Sequence, residues 1–152
     1  MYNHVPEFYT CPFCLLAKGE DNNRIYSRQA DVFYRDAFVT AFVPSHSWPN
    51  NHGNVIIIPN AHYENLYDLP DELGALIHAL ARRVSLAMKG AYGCAGISTR
   101  QHNEPAGNQD VWHYHLHIFP RYPDDALYGS QREFMPPEER ILYAEKLRKQ
   151  MA

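Results

Sequence analysis

Apolar residues recur at three- and four-residue steps in one long stretch, at Leu73, Leu76, Ile77, Leu80, Val84 and Met88. Such steps place side chains along one face of a helix. Asp68-Leu69-Pro70-Asp71-Glu72 supplies acidic and proline start signals, and Gly90 and Gly93 mark the end. Arg82, Arg83 and Lys89 read as the solvated face of that helix. Elsewhere the pattern is short and extended. Val55-Ile56-Ile57-Ile58 is a β-branched run stopped by Pro59, the signature of a strand buried on both faces. Further strands are predicted over 25–27 and 38–43, with Tyr34-Arg35-Asp36 as the turn between them, and over 95–99 and 111–119. Pro44 and Pro120 close two of these, because proline has no ladder donor. A helical turn or two fits residues 11–19, and polar loops fit 45–54 and 101–110. Pro136-Pro137-Glu138-Glu139 opens a terminal helix to about Lys149, with acids first and bases last as the helix dipole favours. Strands around one long helix, without strict βαβ alternation, predict an α+β domain with an antiparallel sheet.

The length of 152 residues suits a single domain, and 45% hydrophobic with 20% charged residues is ordinary for a soluble globular protein. The first ten residues carry no basic segment followed by an apolar one, so no signal peptide is expected. No apolar run, that over 55–59 included, is long enough to span a membrane. A net charge of -3 gives no electrostatic reason to expect nucleic-acid binding. Three cysteines, an odd number, argue against a disulfide framework and for a reducing, cytoplasmic setting. Nine histidines and eleven tyrosines are the unusual feature, and the histidines cluster.

In the strand predicted over 111–119, side chains alternate, so His113, His115 and His117 share one face. Trp112, Tyr114, Leu116 and Ile118 form the opposite, apolar set, which is expected to face the core and leave the histidines exposed. Neighbouring imidazoles raise one another's cost of protonation, which keeps them neutral and nucleophilic near neutral pH. Asn103, Gly107, Asn108 and Gln109 lie just upstream, a loop suited to holding phosphoryl oxygens with amide N–H groups. Cys11-Pro12-Phe13-Cys14 reads as a redox pair, half a zinc site or a chance spacing, and its partners are undetermined from spacing alone. Cys94 reads as a small buried hydrophobe.

The run His113-Tyr114-His115-Leu116-His117-Ile118-Phe119 resembles the motif of the histidine-triad family. Cys11-Pro12-Phe13-Cys14 with Gly19-Glu20, Ala41-Phe42, the stretch from Gly53 to Pro59, His62, and the loop from Gly96 to Gln109 extend that resemblance. It defines a domain over 8–125 with a C-terminal tail and helix over 126–152, and nothing after Tyr122 matches the family pattern. The resemblance implies a sheet of about five antiparallel strands with two main helices, paired into a homodimer whose sheets join. It implies that His115 attacks the phosphorus of a nucleotide-like ester, anhydride or phosphoramidate to form a covalent phospho-histidine, which water then releases. His117 flanks the nucleophile, and Asn103 and Gln109 lie near the phosphoryl oxygens. In zinc-bearing members the ligands correspond to Cys11, Cys14, His62 and His113, a closed structural site.

Three positions depart from the family pattern. Val43-Pro44 stands where an acid usually binds the ribose hydroxyls, Asp110 where a serine or threonine is common, and Gly53-Asn54 where Gly-His is usual. Two other classes compete with a hydrolase. A non-catalytic nucleotide-binding or scaffold protein is favoured by the altered ribose position. A metalloenzyme holding its metal on the triplet meets a geometric obstacle. Three histidines on one strand span roughly 13 Å at about 3.3 Å per residue, too far for one ion.

Overall fold

The computed structural model describes residues 2–21 and 25–152. Its centre is a five-stranded antiparallel sheet in the order β1 (Val32–Arg35), β2 (Val39–Phe42), β4 (Val55–Pro59), β6 (Leu116–Arg121), β5 (Gly96–Gln101). β3 (His46–Ser47) pairs instead with β7 (Glu133–Phe134) in a separate two-stranded ribbon. Three α-helices lie among the described residues: α1 (Pro12–Ala17), α2 (Asp71–Tyr92) and α3 (Pro137–Met151).

The sheet is buried on both faces, and alternation along its strands explains how. Val39, Ala41, Val55, Ile57 and Ile118 point into a core shared with Ile77, Leu80, Val84 and Met88 of α2 and Ala144 and Leu147 of α3. Phe42, Ile56 and Ile58 point the other way and meet Phe13 and Leu16 of α1. β4 is buried at every position, as its unbroken apolar run predicts.

Helix α2 follows its predicted periodicity and ends at Gly93, whose φ of +65° suits a residue without a side chain. Leu76 lies outside the buried stripe and is exposed. The cationic residues do more than face solvent. The Lys89 ammonium donates to the Cys94 and Ala95 carbonyls, and Arg83 sits 5.1 Å over the Tyr34 ring.

Two strand assignments change. Residues 25–27 are not a strand; β1 is Val32–Arg35, which includes part of the predicted turn, and the chain reverses over 36–38 instead. There the Asp36 carboxylate accepts from the Phe38 and Val39 N–H groups, closing an Asx-type turn. The ladder of β6 begins only at Leu116, because the backbone before it is engaged elsewhere. The His113 N–H donates to the Val111 carbonyl and the Tyr114 N–H to the Tyr63 carbonyl.

The C-terminal segment belongs to the same core. Arg140 is wholly buried; its guanidinium bonds Asp31 at 3.1 Å and donates to the Met135 and Tyr26 carbonyls at 2.9 Å. Arg148 donates to the Ala30 and Val32 carbonyls at 2.7 Å. A buried charge is tolerated only when its donors are satisfied, and these bonds tie α3 to the segment that leads into β1.

Candidate active site

The alternation predicted for the triplet holds, although its first two histidines precede the strand. Tyr114, Leu116 and Ile118 face the α2 side, while His113, His115 and His117 face the α1 side. That face is covered, contrary to expectation. His115 is 3% exposed, and its ring meets the Phe13 ring edge-on at 5.2 Å. The rings of His115 and His117 lie 5.0 Å apart, and His117 stacks on Phe119 at 5.7 Å.

A cavity of about 300 Å³ opens beside these two rings. Phe13, Phe42 and Ile56 line it together with Tyr26, Pro44, Ser45, His46, Trp48, Asp110 and Arg132. Apart from Asp110, Arg132 and a few neutral polar groups, the lining is apolar. A site of this kind orients a ligand with few, well-placed contacts.

One hydrogen bond decides which nitrogen of His115 can react. Nδ1 donates to the His113 carbonyl at 2.7 Å, so the ring proton resides on Nδ1 and the lone pair on Nε2. Asp110 Oδ1 lies 3.8 Å from that Nε2, and Asp110 Oδ2 accepts from Arg132 at 2.7 Å. Burial pushes the His115 pKa below its usual value; the carbonyl bond and Asp110 oppose the shift in part. For His117 burial acts first, and the neighbouring His115, Arg100, His102 and Arg132 add to it, so its pKa lies well below the ordinary imidazole range. Both rings are therefore neutral at physiological pH, as a nucleophile and its neighbour require.

That depression has a consequence for stability. The unfolded chain takes up a proton at His117 near the usual value of about 6.5, whereas folded His117 does so only well below it. Between those values the unfolded state binds more protons, so stability falls as pH drops below about 6.5. Melting temperature is expected to decrease from pH 7 to pH 5, and His117→Asn is expected to flatten the slope. Equal slopes in the two proteins would show that His117 does not carry the effect.

His113 has a separate task. Its Nε2–H donates to the Pro59 carbonyl at 2.9 Å, which frees Nδ1. Nδ1 lies 3.3 Å from Cys11 Sγ and 3.5 Å from Cys14 Sγ, and His62 Nδ1 lies 3.2 Å from Cys14 Sγ. The four ligand atoms of Cys11, Cys14, His62 and His113 are all within 4.8 Å of one another. A tetrahedral zinc ion with bonds of about 2.0–2.3 Å separates its ligand atoms by roughly 3.3–3.8 Å, so the cluster fits one. The bond to Pro59 is the outer-sphere support that ligating histidines usually have. Cys11 caps α1, and its sulfur accepts from the Cys14 N–H, which explains how the short spacing turns both sulfurs inward. The Cys14 thiol is held well below its usual range, first by Cys11 and then by His113 and His62.

Asn103 and Gln109 stand apart from the cavity. Gln109 Nε2 donates to the Glu64 and Val111 carbonyls, and its Oε1 accepts from the Glu104 N–H. Asn103 Oδ1 accepts from the Leu66 N–H, and its amide donates to Gln101. Both brace the loop before the triplet, where Glu104 and Asn108 adopt positive φ. Sequence reasoning gave Arg132 no role; it lies in a stretch without periodicity and meets Asp110 only through the β3–β7 pairing. Trp48, Ser45 and His46 were legible only as a loop following Pro44.

A buried histidine with a free Nε2 in a mostly apolar cavity, beside a Cys₂His₂ cluster on a five-stranded antiparallel sheet, is the arrangement of a histidine-triad protein. The chain belongs to that family: the HIT domain model matches residues 27–124. A HIT-like protein of Methanocaldococcus jannaschii is 34% identical over 76% of this chain and 81% of its own. The adenosine 5'-monophosphoramidase of Saccharomyces cerevisiae is 29% identical over 73% of this chain and 62% of its own. The adenylylsulfatase of Arabidopsis thaliana is 28% identical over 80% of this chain and 57% of its own. Among solved structures, a zinc-bound histidine triad family protein from Mycobacterium smegmatis aligns with a TM-score of 0.76 at 25% identity, over 93% of each chain.

Proposed function

We propose that this protein hydrolyses a nucleotide-like phosphoramidate, ester or anhydride through a covalent intermediate on His115. The observation that carries the reading is the Nδ1–H bond of His115 to the His113 carbonyl, which leaves Nε2 unprotonated beside the cavity. In the first step the Nε2 lone pair bonds to phosphorus, and the leaving group departs with its bonding electrons. In the second, water attacks the same phosphorus, the P–N bond breaks back to Nε2, and a proton passes to solvent. His117, neutral and packed against His115, adds no positive charge of its own beside the nucleophile. Gln109 and Asn103 act indirectly, by fixing the loop that carries Asp110.

Zinc held by Cys11, Cys14, His62 and His113 would fix His113, and with it the carbonyl that sets the His115 tautomer. Such an ion is structural, because four protein ligands leave no coordination position open. The metalloenzyme alternative finds no support in the triplet, since the His113 ring turns to the cysteines rather than to His115 and His117. The names of the yeast and plant relatives, a monophosphoramidase and an adenylylsulfatase, support hydrolysis at an adenylyl phosphorus. The protein is read as a cytoplasmic homodimer. No helix among the described residues is long and apolar enough to cross a membrane. The experiment that tests the reading is intact-mass detection of an adduct after mixing with nucleoside phosphoramidates.

Sugar recognition should differ from the family pattern. Pro44 lines the cavity and has no side-chain acceptor for a ribose 2′,3′-hydroxyl pair. Each lost bond to a charged acceptor is worth about 1.5–3 kcal/mol, so discrimination against deoxyribose should be weak. Matched ribo- and 2′-deoxyribonucleoside phosphoramidates are expected to show kcat/KM values within about tenfold of each other. Pro44→Asp should move the preference toward ribose. A wild-type ribose preference above about a hundredfold would mean that Ser45, His46 or Trp48 has taken over the sugar.

A further inference from the structure

The cavity lining is mostly apolar, yet the ligand proposed for it is an anion. Among the described residues that line it, Arg132 is the only lysine or arginine. Arg132 comes from the C-terminal segment, where no position matches the family motif. Its placement follows from the residues after it, because Glu133 pairs with Ser47 and Phe134 with His46 across the β3–β7 ribbon. Burial lowers the pKa of both His46 and His117, and the Arg132 charge adds to the shift in each.

Arg132 is held by Asp110 alone among the described residues, through one hydrogen bond of 2.7 Å. Both side chains are about half exposed, at 51% and 45%. An exposed pair of this kind contributes little to stability, so exchanging its partner costs little. The other oxygen of Asp110 lies 3.8 Å from His115 Nε2, and both residues line the cavity. Reacting atoms have to come within about 3–3.5 Å of each other, which brings the non-bridging phosphoryl oxygens close to this carboxylate. Two anions cannot share that space without a cation between them.

We propose that Arg132 is the anion-binding residue of the cavity, and that Asp110 is a resident counter-ion displaced from it when a substrate phosphoryl group enters. This rests on the reading of His115 as the nucleophile, and it adds a binding residue supplied by the tail. In the ligand-free protein Asp110 neutralises Arg132 and keeps it beside the nucleophile. On binding, the guanidinium fork turns to the phosphoryl oxygens, which it matches in two-pronged geometry. Arg132 is then placed to stabilise the charge that those oxygens carry as the P–N bond forms.

The two residues are predicted to act with opposite signs, and that separates this assignment from a purely structural ion pair. The full chain is titrated with AMP as the probe and adenosine as the neutral control, by calorimetry. Arg132→Gln is expected to weaken AMP binding about tenfold or more, and Arg132→Lys to weaken it less. Asp110→Asn is expected to tighten AMP binding several-fold, and none of the three should move adenosine binding by more than about twofold. Loss of binding in Arg132→Gln together with Asp110→Asn would make the pair structural and overturn the proposal. So would unchanged AMP affinity in Arg132→Gln, or no AMP binding by the wild type. Adduct capture on wild-type protein reads the underlying function separately: an adduct on His115 with Arg132→Gln indifferent to AMP overturns the role of Arg132 alone.

Discussion

His115→Ala is expected to abolish both turnover and the covalent adduct, lowering the rate by several orders of magnitude. The Nε2 lone pair of this ring is the only one in the triplet that combines a fixed tautomer, a neutral state and access to the cavity. The His113 ring is committed to the cysteine cluster, and His117 Nδ1 is buried without a hydrogen-bond partner among the described residues. Because His115 packs against Phe13, the alanine variant also leaves a gap in a covered face and should lose some stability. His115→Asn preserves more of the volume and separates chemistry from folding. Hydrolysis of a fluorogenic adenosine phosphoramidate, with melting measured alongside, provides the comparison. A folded His115→Asn protein retaining more than about a tenth of the wild-type rate would rule His115 out as the nucleophile.

The second large effect concerns metal. Protein purified without added zinc is expected to carry one ion per chain, and Cys11→Ser combined with Cys14→Ser should remove it. Binding at a structural zinc site is worth about 10 kcal/mol or more in small peptides. Even a fraction of that, at about 2–4 °C per kcal/mol for a chain of this size, lowers the melting temperature by on the order of 10 °C. Cys11 and Cys14 also join α1 to the sheet through Phe13 and Leu16, so the loss should be felt across the face that holds His115. A stoichiometric Cys11–Cys14 disulfide with no metal would refute the site. Loss of activity on chelation without loss of stability would return the metalloenzyme reading.

How far the sequence alone led depends on the strength of each local pattern. α2 and β4 were legible because their apolar positions leave one choice of face, or none. β1 was not: it has four residues, it lies at a sheet edge, and its last two residues with Asp36 read as a turn. Ile25-Tyr26-Ser27 has strand-like composition but forms cavity wall, with the Tyr26 carbonyl accepting from Arg140. The ribbon of β3 and β7 is two residues on each side, too short for any periodicity to register. At the site, His115 and the cysteine cluster rested on strict spacing and on the family resemblance. The placing of Asn103 and Gln109 did not follow, because an amide near a phosphate-side loop can equally spend its bonds within the loop. The covering of the histidine face was invisible for the same reason as Arg132: both depend on contacts between segments far apart in sequence.

The β3–β7 ribbon also sets an order of events. A chain made from its N-terminus acquires all four cluster ligands and the whole triplet by residue 117, and the family segment is complete by 124. The wall bearing His46 still lacks its strand partner, since Glu133 and Phe134 have not yet been made. Asp31 likewise waits for Arg140, the cation with which it is buried. Domains generally begin to organise during synthesis. Here His115 is in place before the cavity around it is closed, and the wall that bears His46 gains its partner only once residues 133–134 have been made.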